Sequence, residues 1–305
     1  MCGIIGILGK SDVAPQIVEG LKRLEYRGYD SAGVATIRDG RLDRRRASGR
    51  LAALNEKLSA LPLPGATGIG HTRWATHGAP TDANAHPHAT EKVALVHNGI
   101  IENFAELREE LKTKGFSFAS QTDSEVAAQL ITYYLRNEKL APKDAVKAAL
   151  GRMRGAFAFA IIFSGEDDLL IAARRGSPLA IGRGEGEMFV GSDAYALAPF
   201  TNRVTYLEEG DYAIITRAGF EIYDEQGRLA NRPETISSAS ENMVDKDGHR
   251  HFMAKEIHEQ PEVIAHTLSR YIDAATGEIR LPKGSFDFAS LERLTISACG
   301  TAYYA

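Results

Sequence analysis

Cys2 is the residue best suited in this sequence to act as a nucleophile. If Met1 is removed, a thiol and a free α-amino group belong to the same residue, which then supplies both nucleophile and base. An α-amino group has a pKa of ~7.7 to 8.0 and a thiol one of ~8.5, so the amine can accept the thiol proton near neutral pH. The alternative is that Cys2 is merely a small residue after the start codon, and this feature alone favours that alternative.

The segment 70–78, Gly-His-Thr-Arg-Trp-Ala-Thr-His-Gly, follows a predicted strand and contains a second candidate group. The planar guanidinium of Arg73 is what a small carboxylate needs for binding through two parallel hydrogen bonds. Trp74 is the only tryptophan, and a lone tryptophan is more typical of a core than of a ligand contact.

Five of the nine histidines lie in the same region, which raises a metal site as an alternative: His71, His77, His86, His88 and His97. Their spacing matches no strong metal-ligand pattern, and no acidic ligand pattern accompanies them. We therefore expect no metal, and because the sequence has no nucleotide or flavin signature we expect no other cofactor.

Asn98-Gly99 follows the apolar run 93–96 and has two interpretations. An Asn-Gly pair between apolar runs is the strongest short signal for a hairpin turn. Alternatively, the Asn98 amide and the Gly99 backbone N–H are two donors to a developing oxyanion, and such donors are worth ~3 to 4 kcal/mol each in acyl transfer.

Two further charged residues have equally plain alternatives. In Thr122-Asp123 the polar side chains indicate a helix N-cap, whereas the carboxylate could instead pair with a ligand ammonium. Arg27 could complement a helix C-terminus, with Gly28 as its left-handed cap. Each motif is weak when taken alone.

The composition excludes several classes of protein. With 305 residues, 44% of them hydrophobic and 25% charged, the chain is expected to be packed and soluble, with about two domains. Two distant cysteines exclude a disulfide framework. A net charge of −4 argues against a general nucleic-acid binder, so we interpret the basic run 41–46 as the solvated return strand of a hairpin that turns at Asp39-Gly40.

The longest run without polar side chains, 155–163, is far shorter than the ~20 residues that cross a bilayer, and the start of the chain has no secretory pattern. We therefore expect a cytoplasmic protein without membrane association.

Short apolar runs alternate with amphipathic segments up to about Asp224. The predicted strands are 3–8, 33–38, 67–72, 93–97, 156–163, 169–173, 188–191, 204–208 and 212–216. Many connections are too short for a parallel crossover, so antiparallel pairing is expected. We infer two layers of mainly antiparallel sheet flanked by helices.

Three helices that flank these strands have recognisable ends. Asp12 is expected to cap a helix whose apolar positions run from Val13 to Leu24 and which Gly28 closes. The second helix, 104–114, is preceded by Asn103 and ended by Gly115, and the third, 125–135, follows Thr122 or Asp123.

The character of the sequence changes after Asp224. We predict a first domain over 2–224, a linker over 225–250, and a region 251–305 with a helix over 251–272 that is interrupted at Pro261. A strand-like run over 294–299 reads as the beginning of a new domain, so we expect the polypeptide to be truncated.

In combination, these segments closely resemble the glucosamine-6-phosphate synthases, a family also called glutamine:fructose-6-phosphate aminotransferases. The matching segments are Met-Cys-Gly-Ile-Ile-Gly at 1–6, then 26–33, 71–78, 84–88, 97–103, 122–125, 255–261 and 298–301. The resemblance covers essentially the whole chain. It implies an α+β fold: a class II glutamine amidotransferase domain built as a four-layer αββα sandwich of the N-terminal-nucleophile hydrolase type, with mainly antiparallel sheets.

The resemblance also implies a role for ten residues of this sequence. It assigns catalysis to Cys2, Arg27, Gly28, Asn98 and Gly99, and substrate binding to Arg73, Trp74, Thr76, His77 and Asp123. Cys2 would attack the carboxamide of L-glutamine, with Asn98 and Gly99 as the oxyanion hole. Arg73 would hold the substrate α-carboxylate and Asp123 its α-ammonium, while Arg27 and Gly28 would organise the nucleophile loop and Trp74 would shield the route of the released ammonia.

In the complete family enzyme, a homo-oligomer, the ammonia would convert fructose 6-phosphate into glucosamine 6-phosphate. This chain contains only the start of the sugar-isomerase region, so we expect it to hydrolyse glutamine at most. It also has Ala302 where family members often have Ser, which puts one contact to the sugar phosphate in doubt.

Two other functions stay open at this point. One is an N-terminal-cysteine amidohydrolase that acts on a different amide. The other is a non-catalytic module that senses glutamine or a sugar phosphate.

Overall fold

A computed structural model describes residues 2–75, 78–237 and 248–268, with short pieces between 271 and 297. The chain divides into two compact units, Met1–Val244 and Asp245–Ala305.

The first unit contains two β-sheets. In chain order their strands are β1 (Gly3–Leu8), β2 (Ser31–Arg38), β3 (Arg41–Ser48), β4 (Thr67–Arg73), β5 (His88–Ala89), β6 (Val93–Ile101), β7 (Gly155–Phe163), β8 (Leu170–Arg175), β9 (Ala180–Arg183), β10 (Met188–Gly191), β11 (Arg203–Tyr206), β12 (Tyr212–Thr216), β13 (Gly219–Tyr223), β14 (Leu229–Ala230) and β15 (Glu234–Ile236). One sheet has the order β15-β11-β9-β10-β1-β4-β2-β3 and the other the order β14-β13-β12-β8-β7-β6-β5. Every strand pair in them is antiparallel, as predicted.

The two sheets pack face to face and each is covered by helices on its other face. Strand β7 shows how: Ala158, Ala160 and Ile162 lie in the core between the sheets, whereas alternate residues, from Phe157 to Phe163, pack against helices. Because successive side chains of a strand point to opposite faces, a strand buried on both faces reads as one continuous apolar run.

Helices form the two outer layers. On the eight-stranded sheet these are α1 (Ala14–Lys22), α2 (Leu51–Ala60) and α6 (Ala194–Leu197). On the seven-stranded sheet they are α3 (Phe104–Thr113), α4 (Asp123–Arg136) and α5 (Pro142–Arg152). The order helix, sheet, sheet, helix confirms the predicted α+β four-layer sandwich.

The first helix differs from its prediction at both ends. Its N-cap is Val13, and the carboxylate of Asp12 instead accepts a hydrogen bond from the backbone N–H of Gly65 at 2.8 Å. The helix ends at Lys22 and is followed by one turn of 3₁₀ helix, Glu25–Arg27. Gly28 has φ −164°, which is extended, so its interpretation as a left-handed cap is wrong.

The hairpin predicted at Asp39-Gly40 is confirmed, with Arg38 paired opposite Arg41. Its return strand is less solvated than expected, because Arg44 and Arg46 reach the backbone carbonyls of Pro87 and Ala85 at 2.8 and 2.9 Å. Helices α2, α5 and α6 and strands β5, β9 and β13 were not predicted from the sequence.

Strands β14 and β15 lie inside the interval 225–250, which was predicted as a linker, and they extend the two sheets. That part of the interval is therefore not a linker, while residues 238–247 lie outside the described residues. The proposed division of the chain at 224 and 250 stays a prediction.

The second unit contains α7 (Phe252–Leu268), which continues through Pro261 rather than being interrupted there. Of the strand predicted over 294–299, residues 295–297 are described and form no strand, whereas 294, 298 and 299 lie outside the described residues. Among the described residues, no helix combines the length and apolar character needed to cross a membrane.

Candidate active site

A pocket of about 330 Å³ lies where β1 begins, β4 ends and α4 begins. Seven of the ten residues assigned from the sequence line it: Cys2, Arg27, Arg73, Trp74, Asn98, Gly99 and Asp123. Gly28 supports the pocket from behind, since a Cβ there would lie 2.8 Å from the backbone carbon of Arg73. Thr76 and His77 lie outside the described residues.

Cys2 is half-buried and precedes the first strand directly. Its sulfur accepts a hydrogen bond from the backbone N–H of Trp74 at 3.2 Å. Burial raises the pKa of the Cys2 thiol above its ordinary value, and the Trp74 N–H opposes that shift only in part. The thiol is therefore protonated at neutral pH and needs a base before it can attack.

Asn98 and Gly99 lie within β6, paired with Ala158 and Phe157 of β7. The hairpin-turn interpretation of this Asn-Gly pair is therefore wrong. Gly99 has φ +123°, and a Cβ at this position would overlap the carbonyl oxygen of Ala156. Glycine is needed here because the backbone combines a left-handed φ with a close approach to the neighbouring strand.

The side chain of Asn98 points toward the nucleophile. Its Nδ2 donates to the backbone carbonyl of Cys2 at 3.1 Å. Asn98 lies on the face of β6 that also carries Ala94 and Val96, which pack between the sheets. The next residue toward the amino terminus, His97, points to the opposite face and toward α4.

Arg73 and Asp123 bring opposite charges to the pocket. Arg73 ends β4, is 4% exposed, and donates from its guanidinium to the carbonyls of Gly78 and Ala79 at 3.2 and 3.4 Å. Burial lowers the pKa of Arg73, and the carboxylates of Asp30 and Asp123 oppose this shift.

Asp123 is the first residue of α4, and the N-cap interpretation of the Thr122-Asp123 pair is confirmed. Thr122 is the N-cap, since its hydroxyl accepts from the backbone N–H of Glu125 at 3.3 Å. Asp123 lines the pocket, and its Oδ2 accepts from the backbone N–H of Ile101 at 2.9 Å. This bond ties the start of the helix to the end of β6.

Arg27 and Trp74 lie at the rim. Arg27 forms an ion pair with Asp193, which also caps α6 through the backbone N–H of Tyr195. Trp74 is 48% exposed, so the core interpretation of this residue is wrong. Its ring packs edge-on against Tyr29, with ring centroids 5.3 Å apart.

Four of the histidines noted in the sequence are buried: His86 and His97 line the pocket, whereas His71 and His88 do not. The hydroxyl of Ser124 lies 2.9 Å from Nε2 of His86 and 2.8 Å from Nδ1 of His97. Burial holds the pKa values of His71, His86 and His88 well below the ordinary histidine value. Among the described residues no group of histidine, cysteine and acidic side chains is arranged to hold a metal ion.

Ser177, Pro178 and Ser192 also line the pocket, and none of them was predicted from the sequence. They come from loops beside β9 and β10, far along the chain from Cys2. The only signal for them was the predicted strand 188–191, which pairs with β1 and carries Ser192 to the pocket.

The sequence and the fold of this chain are similar to those of known proteins. Residues 71–199 match the model of the glutamine amidotransferase domain family. The glutamine–fructose-6-phosphate aminotransferase [isomerizing] of Brucella suis is 58% identical over 305 residues, which cover 100% of this chain and 50% of that protein. The protein of the same name from Bradyrhizobium diazoefficiens is 59% identical over 307 residues, again covering 100% of this chain and 50% of that protein.

Among solved structures, the glutamine phosphoribosylpyrophosphate amidotransferase of B. subtilis matches with a TM-score of 0.64 and 29% identity, over 75% of this chain and 50% of that one. This match confirms the predicted N-terminal-nucleophile hydrolase type of sandwich. The chain spans about half the length of the curated relatives it matches. It therefore carries a glutamine amidotransferase domain, and over its whole length it is similar to about half of the length of the glutamine–fructose-6-phosphate aminotransferases.

Proposed function

We propose that this chain hydrolyses the side-chain amide of L-glutamine, with Cys2 as the nucleophile. The main support for the proposal is one pocket of about 330 Å³ that brings a nucleophile, two donors and two opposite charges together. The nucleophile is the Cys2 thiol, the donors belong to Asn98 and Gly99, and the charges are those of Arg73 and Asp123. A free α-amino acid carries both a carboxylate and an ammonium, which a guanidinium and a carboxylate can pair with. This pair of charges favours glutamine over an amide that lacks them.

The reaction begins with proton transfer inside one residue. Once Met1 has been removed, the α-amine of Cys2 accepts the thiol proton, and the sulfur attacks the carboxamide carbon. The C–S bond forms as the carbonyl π electrons move to oxygen. Asn98 Nδ2 and the Gly99 N–H donate to that oxyanion.

The tetrahedral intermediate then collapses. The C–N bond breaks as the α-ammonium of Cys2 gives its proton to the leaving nitrogen, so ammonia departs and a glutamyl thioester remains. Water attacks this thioester and loses a proton to the same amine. The C–S bond breaks, glutamate leaves, and the sulfur regains its proton.

Arg73 and Asp123 act before the chemistry. Both are 4% exposed, so their charges are only weakly screened by solvent. We assign binding of the substrate α-carboxylate to Arg73 and of its α-ammonium to Asp123, with Thr76 and His77 assigned nearby. Arg27 and Gly28 are assigned to hold the nucleophile loop, and Trp74 to shield the departing ammonia.

In the complete protein, we propose that this ammonia converts fructose 6-phosphate into glucosamine 6-phosphate, and that the complete protein is a cytoplasmic homo-oligomer. The supporting observation is the match over the whole chain to relatives named for fructose 6-phosphate, of which the chain spans about half. The chain by itself is expected to release ammonia into solution.

The test is glutamate release from glutamine by protein whose first residue has been determined by mass, with and without fructose 6-phosphate. Cys2→Ala is expected to fold and to release no glutamate, whereas the matched variant Cys299→Ala, which removes the other cysteine, keeps the activity. Glutamate production by Cys2→Ala at the unmodified rate refutes the proposal. Tight glutamine binding without hydrolysis by the protein lacking Met1 would indicate a sensor instead.

A further inference from the structure

The side-chain amide of Asn98 bonds through both of its polar atoms to the opposite sheet. Asn98 belongs to β6 of the seven-stranded sheet, whereas Cys2 and His71 belong to the start of β1 and to β4 of the eight-stranded sheet. Nδ2 of Asn98 donates to the carbonyl of Cys2 at 3.1 Å, and Oδ1 lies 3.0 Å from Nε2 of His71.

The chemistry of these partners fixes the direction of each bond. The carbonyl of Cys2 can only accept, so the amide nitrogen must face it. The amide oxygen of Asn98 can also only accept, so Nε2 of His71 must carry a hydrogen. A flipped Asn98 amide would place two acceptors together at Cys2, and at His71 it could form a hydrogen bond only with the Nδ1–H tautomer.

His71 is suited to hold one orientation. It is 1% exposed, and its ring packs against that of His86 with centroids 4.2 Å apart. Burial, as the main cause, lowers the pKa of His71 to about 3, so the ring is neutral at physiological pH. A neutral imidazole has a single N–H, and here it is committed to Asn98.

We propose that His71 is a positioning residue for glutamine hydrolysis, which orients the Asn98 amide so that Nδ2 faces the nucleophile and the developing oxyanion. His71 itself does not line the pocket and acts only through Asn98. The proposal rests on the proposed glutaminase activity. It adds a residue of the eight-stranded sheet, His71, that controls the orientation of an oxyanion donor in the seven-stranded sheet, Asn98.

The first test compares two variants of His71. His71→Leu removes the N–H that bonds Asn98 and is expected to lower kcat for glutamate release by ~10- to 100-fold. This loss is expected to be smaller than the ~100-fold or greater loss that follows deletion of an oxyanion donor itself. KM for glutamine should change less than about twofold, because Arg73 and Asp123 are untouched. His71→Gln keeps an N–H at similar reach and should stay within about threefold of the unmodified kcat.

Alkylation of Cys2 by iodoacetamide does not pass through an oxyanion. The alkylation rate should therefore be the same in His71→Leu and in the unmodified protein.

His88→Leu is the matched control, because it removes a buried histidine that bonds Thr122 rather than Asn98. This control is expected to lower stability and leave kcat within about twofold. An equal loss of kcat in His71→Leu and His88→Leu would show a general structural effect and overturn the proposal.

A double-mutant cycle with Asn98→Ala provides the sharpest test. If His71 acts through Asn98, His71→Leu should lower kcat no further once Asn98 is alanine. If the losses of kcat in the two single variants multiply in the double variant, the proposal is overturned.

If His71→Leu fails to fold, NMR of the His71 ring nitrogens in the unmodified protein provides the test. An Nε2–H tautomer supports the proposal and an Nδ1–H tautomer rejects it. Absence of glutamate release by the unmodified chain would instead reject the glutaminase assignment.

Discussion

The backbone N–H of Trp74 donates to the sulfur of Cys2 across 3.2 Å. This bond joins the end of β4 to the residue before β1, so the nucleophile and the segment after Arg73 are held together. One N–H bond is not enough to ionise the thiol, because burial raises the Cys2 pKa by more than this bond lowers it. The sulfur is positioned by the fold but must be activated by a base.

The raised pKa of Cys2 predicts how its reactivity depends on pH. In protein that keeps Met1, the thiolate fraction falls ~10-fold for each pH unit below the thiol pKa, which lies above its ordinary value. The rate of alkylation by iodoacetamide should therefore still rise between pH 8 and 9, values near the ordinary thiol pKa of ~8.5. A rate that levels off below pH 8 would contradict the raised pKa. Glutamate release by protein that lacks Met1 should instead increase near the α-amine pKa of ~7.7 to 8.0.

Asp123→Asn is expected to weaken glutamine binding more than it slows the chemistry. The substituted amide oxygen can still accept from the backbone N–H of Ile101, so the helix start is kept while the charge is lost. A hydrogen bond to a charged group contributes ~1.5 to 3 kcal/mol, which corresponds to a rise in KM of ~10- to 100-fold. Steady-state kinetics measure this change.

Asp12→Asn is the matched control for Asp123→Asn, because Asp12 also accepts from a backbone N–H, that of Gly65, but does not line the active-site pocket. Its KM for glutamine should equal that of the unmodified protein. An unchanged KM in Asp123→Asn would refute the role assigned to this carboxylate.

Gly99→Ala should destabilise the protein and abolish glutamate release. At this position a side chain meets a left-handed φ of +123° and also overlaps the Ala156 carbonyl. Gly115→Ala is the matched control: Gly115 has φ +87°, but a Cβ there has no atom within 4 Å. We expect a loss of ~1 to 2 kcal/mol for Gly115→Ala from backbone strain and a clearly larger loss for Gly99→Ala. Urea denaturation compares them, and equal losses would show that the close approach to β7 has no energetic importance.

The buried histidines predict a loss of stability in mild acid. Burial depresses the pKa values of His71, His86 and His88 in the folded state, whereas the unfolded chain titrates near ~6.5. Below that pH the unfolded chain binds protons that the folded chain cannot, so the stability present above pH ~6.5 is lost as pH falls. Each histidine contributes ~1.4 kcal/mol per pH unit.

Urea denaturation between pH 6.5 and 5 measures this slope. His88→Gln removes one of the three groups and should reduce the slope by ~1.4 kcal/mol per pH unit. A slope that is the same in this variant and in the unmodified protein would show that His88 does not titrate in the way its burial indicates.

The sheets could be predicted from the sequence because strands buried on both faces appear as continuous apolar runs, such as 156–163. The turn interpretation of the Asn98-Gly99 pair was wrong. A glycine that allows a tight turn equally allows a strand to approach its neighbour closely, as Gly99 approaches Ala156. Asp12 was misjudged for a related reason. Its carboxylate finds a better partner in Gly65, far along the chain, than in the helix it precedes.

The candidate site residues were assigned from motifs that together resemble a known family, but the partners of these residues could not be predicted in this way. Arg27 pairs with Asp193, which lies 166 residues away, and no local pattern links the two. The hydrogen bond between His71 and Asn98 likewise joins different sheets. Such contacts depend on how the layers stack, which periodicity within one strand does not determine.

Strand β6 places His97 and Asn98 on opposite faces, and its nine-residue pairing with β7 fixes which face each one occupies. A slip of one position along β7 would turn an imidazole toward the sulfur and bury the amide under α4. A chain paired one position out of register would therefore lose the Asn98 amide from the pocket and the packing of β6 under α4 together, which disfavours a stably folded form that lacks this amide at the pocket.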